Sequence, residues 1–157
     1  METSFAITGK GYVIVASDTT AARSIVKMKT DDDKIKAVSP HLLMSYSGEP
    51  GMHSVSYTAA ASWIRRSLAQ SLCSRKPYSV NLMLGGFDVT TDSPHLYWID
   101  YLGTMTEVPF GGHGYGSYFA LSLLDRCIDE VTKRLVVSPG KYKIKVVDKD
   151  GTREVKL

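Results

Sequence analysis

The sequence is poor in cysteine: Cys73 and Cys127 are the only two among 157 residues. Both lie in stretches with helical periodicity, and two thiols cannot supply the cross-linking of a small secreted scaffold. Free thiols in a reducing compartment are therefore expected. No apolar run approaches the roughly 18 residues a membrane span needs. The start, Met1-Glu2-Thr3-Ser4, has neither the basic nor the apolar segment of a secretory leader. The expected localisation is cytoplasm and nucleus, with no membrane. Charge of one sign is scarce too: 19 Lys and Arg against 16 Asp and Glu leave a net +3, too little to argue for a nucleic-acid partner. Hydrophobic residues at 43% and charged residues at 22% exclude a disordered chain and can fill one core. No repeat or linker divides the sequence, so residues 1–157 read as a single domain.

Metal-ligand spacing is also missing. His41, His53, His95 and His113 are never three or four apart, and there is no C-x-x-C, so no metal is expected. Asp31-Asp32-Asp33 lacks the spacing, glycine and glutamate of a calcium loop and reads as a solvated acidic turn. No G-x-S-x-G elbow marks a serine hydrolase. Gly111-Gly112-His113-Gly114-Tyr115-Gly116 stands before a helical stripe, where backbone amides can cradle a phosphate. Pro109 precedes it and no Gly-Lys-Ser/Thr follows. It reads as a tight turn that brings backbone against a neighbouring strand, and no cofactor is expected.

What is present is strand and helix patterning in alternating blocks. Phe5 and Ile7 alternate with Ser4, Ala6 and Thr8; Gly9-Lys10-Gly11 follows, then Tyr12-Val13-Ile14-Val15-Ala16. This predicts a hairpin whose second strand is covered on both faces. Leu42–Gly48 reads as another buried strand. Ala60, Ile64, Leu68 and Leu72 recur every four residues, with Ala61 and Trp63 beside them, which predicts a helix capped by Thr58 and stopped by Pro77. Val80, Leu82 and Leu84 lead to Gly85-Gly86, and Leu96–Tyr101 follows a turn at Asp92-Ser93-Pro94, as in a second hairpin. Leu121, Leu124, Ile128, Val131 and Leu135 predict a second helix, ended by Ser138-Pro139-Gly140. Tyr142, Ile144 and Val146, then Asp150-Gly151, predict a closing hairpin. Hairpins imply mainly antiparallel sheets, and strands buried on both faces imply a layered α/β sandwich.

Several ordered stretches carry a resemblance. They are Val13-Ile14-Val15-Ala16-Ser17-Asp18 followed at a distance by Lys34, Leu42–Glu49, Arg75–Asn81, Gly85-Gly86-Phe87-Asp88, Tyr101-Leu102-Gly103-Thr104, His113-Gly114-Tyr115-Gly116 with Leu123-Leu124-Asp125, and Val146–Gly151. Over nearly the whole chain this resembles the β-type subunits of the 20S proteasome, the type 2 branch most, within the N-terminal-nucleophile hydrolases. The resemblance implies a four-layer αββα fold with mainly antiparallel sheets. It also implies neighbours: other β subunits in the same and the opposite ring, and α subunits.

In catalytic members the mature N-terminal threonine attacks and its α-amino group serves as base. The family's Asp and Lys positions fall on Asp18 and Lys34, and counting back puts the nucleophile position on Glu2. Glutamate has no attacking hydroxyl, and so bulky a second residue disfavours removal of Met1. A serine of active members reads Tyr115 here. The resemblance therefore implies a non-catalytic subunit of a threonine-type endopeptidase complex that serves ubiquitin-dependent protein degradation. Asp18 and Lys34 are expected to lie together as a vestigial pair. Two rivals are a peptidase using Thr3, one residue out of register, and a nucleotide-binding domain built on the glycines at 111–116. The chain is also shorter than the family near Gly51–Met52 and Arg126–Cys127, where loops are expected to have been omitted.

Overall fold

The computed structural model describes residues 3–23, 26–48, 57–114, 117 and 141–155. The first hairpin forms as its alternation predicts. Strands β1 (Thr3–Gly9) and β2 (Tyr12–Asp18) pair antiparallel with Gly9 opposite Tyr12 and Ser4 opposite Ser17. Gly11 takes a φ of 84° in the two-residue turn, a conformation a side chain would resist. β11 (Tyr142–Asp148) joins the other edge of β2, and β12 (Gly151–Val155) follows it. The closing turn is Lys149-Asp150 rather than Asp150-Gly151, because Gly151 already pairs with Asp148.

A second five-stranded antiparallel sheet is ordered β5 (Ile35–Ser39), β6 (Leu42–Gly48), β7 (Val80–Asp88), β8 (Ser93–Ile99) and β9 (Met105–Glu107). β7 runs on through Gly85 and Gly86 to Asp88, and β8 begins at Ser93, so both strands are longer than the sequence pattern indicates. β3 (Ala21–Arg23) and β4 (Val26–Lys29) form a separate two-stranded ribbon.

The two large sheets pack face to face. Ala6, Val13, Val15 and Val147 of one meet Ile35, Leu43, Met83, Phe87 and Leu96 of the other, all buried. Helix α1 (Tyr57–Ser71) covers the far side of the second sheet, where Ala61, Ile64 and Leu68 pack on Leu42, Met44, Leu82, Leu84 and Ile99. The four-residue repeat runs past the packed face: Leu72 and Trp63 are exposed. The helix starts one residue before Thr58 and ends well before Pro77. Ser71 closes it, with its hydroxyl donating to the Leu68 carbonyl at 2.7 Å. Gly103, with a φ of 80°, brings the β8–β9 turn against this helix; a Cβ there would meet the Arg65 carbonyl at 3.3 Å.

The far face of the first sheet carries Phe5, Ala16, Ile144 and Val146, also buried. The second predicted helix and the junctions at 51–52 and 126–127 lie outside the described residues.

The glycines at 111–114 depart from the expectation of a turn opening a helix. They form most of β10 (Phe110–Gly114), an edge strand on β1, with Gly111 opposite Ala6 and Gly112 opposite Phe5. Ladder hydrogen bonds to β1 supply what side chains do not. These amides are aligned beside a strand rather than converging at a helix N-terminus, so the phosphate-cradle reading loses its geometry. Gly116 lies outside the described residues.

Candidate functional site

The end of β2 gathers the polar groups of the core. Asp18 Oδ1 accepts from Lys34 Nζ at 3.0 Å and from the Thr3 amide at 2.9 Å, while Oδ2 accepts from the Thr20 amide at 3.3 Å. Lys34 Nζ also donates to the Thr20 carbonyl at 2.8 Å. Both charged side chains are only 1% exposed. Burying an ion pair is costly unless its remaining donors and acceptors are satisfied. Here three donors meet the carboxylate and a carbonyl meets the ammonium.

Local structure brings the pair together. The β1–β2 register sets Thr3 beside Asp18, so its amide points at the carboxylate. After the β3–β4 ribbon the chain returns past the end of β2. The Asp32 amide donates to the Thr19 carbonyl at 2.9 Å, and the Thr19 hydroxyl donates to the Thr30 carbonyl at 2.9 Å. That return delivers Lys34 to Asp18 just before β5 begins.

The acidic turn is not simply solvated, as its composition suggests. Asp33 accepts from Lys145 at 2.8 Å and Lys143 at 3.2 Å, and caps the Ile35 amide at 3.0 Å. Burial alone would raise its pKa; the Lys145, Ile35 and Lys143 contacts outweigh that and hold the carboxyl below its ordinary value.

Thr3, the rival nucleophile, shares a strand face with Phe5 and Ile7, whereas Ser4 and Ala6 face the other sheet. Its amide is committed to Asp18. Glu2 and Tyr115, as well as Cys127 and His53, lie outside the described residues. His41, His95 and His113 stand apart, and among the described residues no three His, Cys, Asp or Glu are grouped to hold a metal ion. Two contributors escape sequence reasoning. Thr20 acts through its backbone, which leaves no compositional signal. Tyr142 stands opposite Asp18 across β11 and β2; burial, and then the Asp18 charge, raise its hydroxyl above the ordinary tyrosine range.

His113 is opposite Ser4 in the β1–β10 register and stacks on Trp98 with ring centroids 5.6 Å apart. Burial lowers its pKa, only partly offset by a hydrogen bond to the Leu82 backbone. The folded chain therefore holds this imidazole neutral where the unfolded chain protonates it. Between the ordinary histidine value near 6.5 and the lower folded value, the unfolded state binds more protons, so stability falls as pH falls. Denaturation midpoints measured from pH 7.5 to 5 are expected to drop, with a shallower slope in His113→Gln. Equal slopes would show that other groups set the dependence.

The sequence profile of the family described as "Proteasome: Proteasome subunit" matches residues 1–51 and 52–138. The chain is 36% identical over 194 aligned positions to "Probable proteasome subunit beta type-4" of Schizosaccharomyces pombe, covering all of both chains. It is 37% identical over 180 positions to "Proteasome subunit beta type-4" of Saccharomyces cerevisiae, covering 91% of each. It is 38% identical over 191 positions to "Proteasome subunit beta type-2-B" of Arabidopsis thaliana, covering 98% of this chain and 95% of that one. The two antiparallel sheets, the helical layer over one of them and these matches agree: the chain belongs to the proteasome subunit family, among its β-type members, with the layered αββα fold of N-terminal-nucleophile hydrolases.

Proposed function

We propose that this chain is a non-catalytic β subunit of the 20S core, helping to wall the chamber in which partner subunits cleave proteins. The observation that carries this is the register around Asp18. The family resemblance puts the nucleophile's hydroxyl sixteen residues before that aspartate, and the sequence has Glu2 there. A carboxylate cannot take the attacking role of a threonine hydroxyl. Asp18 and Lys34 then act as architecture: their charges satisfy each other and pin the ends of β1 and β2.

The peptidase reading through Thr3 is the weaker one. Thr3 sits on the face opposite Ser4, and its nitrogen is an amide already spent on Asp18. In this proposal the subunit takes its place in a β ring, against like subunits of its own and the opposite ring and against the α ring. It serves ubiquitin-dependent degradation in cytoplasm and nucleus.

The test uses the assembled particle. A covalent inhibitor directed at N-terminal threonines is expected to label other subunits and leave this chain unmodified by mass spectrometry. An adduct on Thr3 would overturn the proposal. Size-exclusion chromatography of native extract should place the chain at high mass with other proteasome subunits; a monomer as the main species would contradict the ring assignment.

A further inference from the structure

The hairpin joining β7 and β8 carries a hydrogen-bonded relay that a wall subunit has no need of. Ser93 Oγ lies 2.9 Å from His95 Nε2, and His95 Nδ1 lies 2.6 Å from Glu107 Oε1. Thr91 Oγ1 lies 2.6 Å from Ser93 Oγ. When the imidazole is neutral, the Glu107 carboxylate, which only accepts, leaves the proton on Nδ1 and makes Nε2 the acceptor. The Ser93 hydroxyl therefore donates to Nε2, and its oxygen accepts from the Thr91 hydroxyl.

Order and spacing match the arrangement by which acyl-transfer enzymes activate a serine: hydroxyl to imidazole, imidazole to carboxylate. The framework differs from the strand-to-helix elbow that the sequence lacks. Ser93 and His95 are alternate residues of one strand and share a face. Glu107 comes from β9, opposite Tyr97 and so diagonal to His95. The His95 and Glu107 side chains are 27% and 52% exposed, so a small reagent can reach the relay.

We propose that Ser93 is an activated nucleophile that accepts acyl groups from small activated carboxylic esters, with His95 as general base and Glu107 as the residue that orients it. A Ser93 Oγ lone pair forms the bond to the ester carbonyl carbon while the hydroxyl proton passes to His95 Nε2. The bond from that carbon to the leaving alcohol then breaks, and the alcohol departs with the proton from Nε2. Water repeats the sequence on the Ser93 ester and releases the carboxylic acid. Asp88 and Asp92 border the hairpin, which favours neutral or cationic donors over anionic ones. The inference is independent of the wall-subunit reading, because a threonine-directed label and a serine-directed label report on different residues.

The test is a fluorophosphonate, applied to the full chain in its purified assembly and mapped by peptide mass spectrometry. The Ser93 Oγ–P bond forms, the P–F bond breaks, fluoride leaves and the proton passes to His95 Nε2. An adduct on Ser93 is expected, forming about 100-fold faster than in His95→Gln, the lower end of what a positioned base contributes. Glu107→Gln should also slow it, and Ser93→Ala and the denatured chain should not form it. No adduct on Ser93, or one that forms equally fast in His95→Gln or after denaturation, overturns the proposal.

Discussion

Gly85→Val is expected to prise the two large sheets apart. Gly85 lies on the face of β7 turned toward the first sheet, and a Cβ added there would sit 2.8 Å from Val13 Cγ1 and 3.3 Å from Val15 Cγ2. Val13 and Val15 are fully buried on a central strand, so they have no empty space to move into. Overpacking a dense core usually costs 1–3 kcal/mol; with a branched side chain in this position we expect about 3 kcal/mol or more. At roughly 2–4 °C per kcal/mol for a chain of this size, the melting midpoint should fall by at least about 6 °C. Val13→Ala in the same chain removes the first atom in the way and should recover part of the loss. A Gly85→Val chain that melts like the original would show that Val13 and Val15 yield to a side chain at position 85.

Asp18→Ala carries the second large effect. The substitution removes the carboxylate that faces the buried Lys34 ammonium and takes from the Thr3 and Thr20 amides the acceptor that Asp18 gives them. Breaking a buried pair from one side costs about 3–5 kcal/mol, or roughly 6–20 °C in the melting midpoint. Adding Lys34→Met removes the uncompensated charge and should restore much of the stability, although the Thr3 and Thr20 amides still lack the Asp18 carboxylate. A thermodynamic cycle over the single and double variants isolates the coupling. If the double variant is no more stable than Asp18→Ala, the stability does not reside in the pair.

The hairpins β1–β2, β7–β8 and β11–β12, strand β6 and helix α1 were all legible, because each buries one side at the period of its own geometry. Five strands were not. β3, β4 and β9 are too short to establish a period, and β5 places exposed Lys36 and Ala37 after buried Ile35. β10 is mostly glycine, so it has no side-chain pattern to read and is a strand only because β1 lies beside it. At the site, Asp18 and Lys34 could be matched through family resemblance, but a separation of sixteen positions gives no local rule that joins them. Their companions are backbone groups of Thr3 and Thr20, which any sequence would supply. The relay at Ser93 was hidden for a related reason: Glu107 arrives from another strand, and only the β8–β9 register makes it a neighbour of His95.

The two ends of the stretch between β10 and β11 are fastened to the same place. Gly114 pairs with Thr3, while the Lys141 carbonyl accepts from the Thr19 amide at 2.9 Å, and Tyr142 pairs with Asp18. Thr3 and Asp18 are themselves joined at 2.9 Å. The chain therefore leaves and re-enters the sheet at adjacent points, like a drawer that slides without moving the cabinet. The entropic cost of closing such an excursion grows only logarithmically, by about 0.6 kcal/mol for each doubling of its length. An insertion or deletion between β10 and β11 is therefore expected to leave the β10–β1–β2–β11 pairing in place.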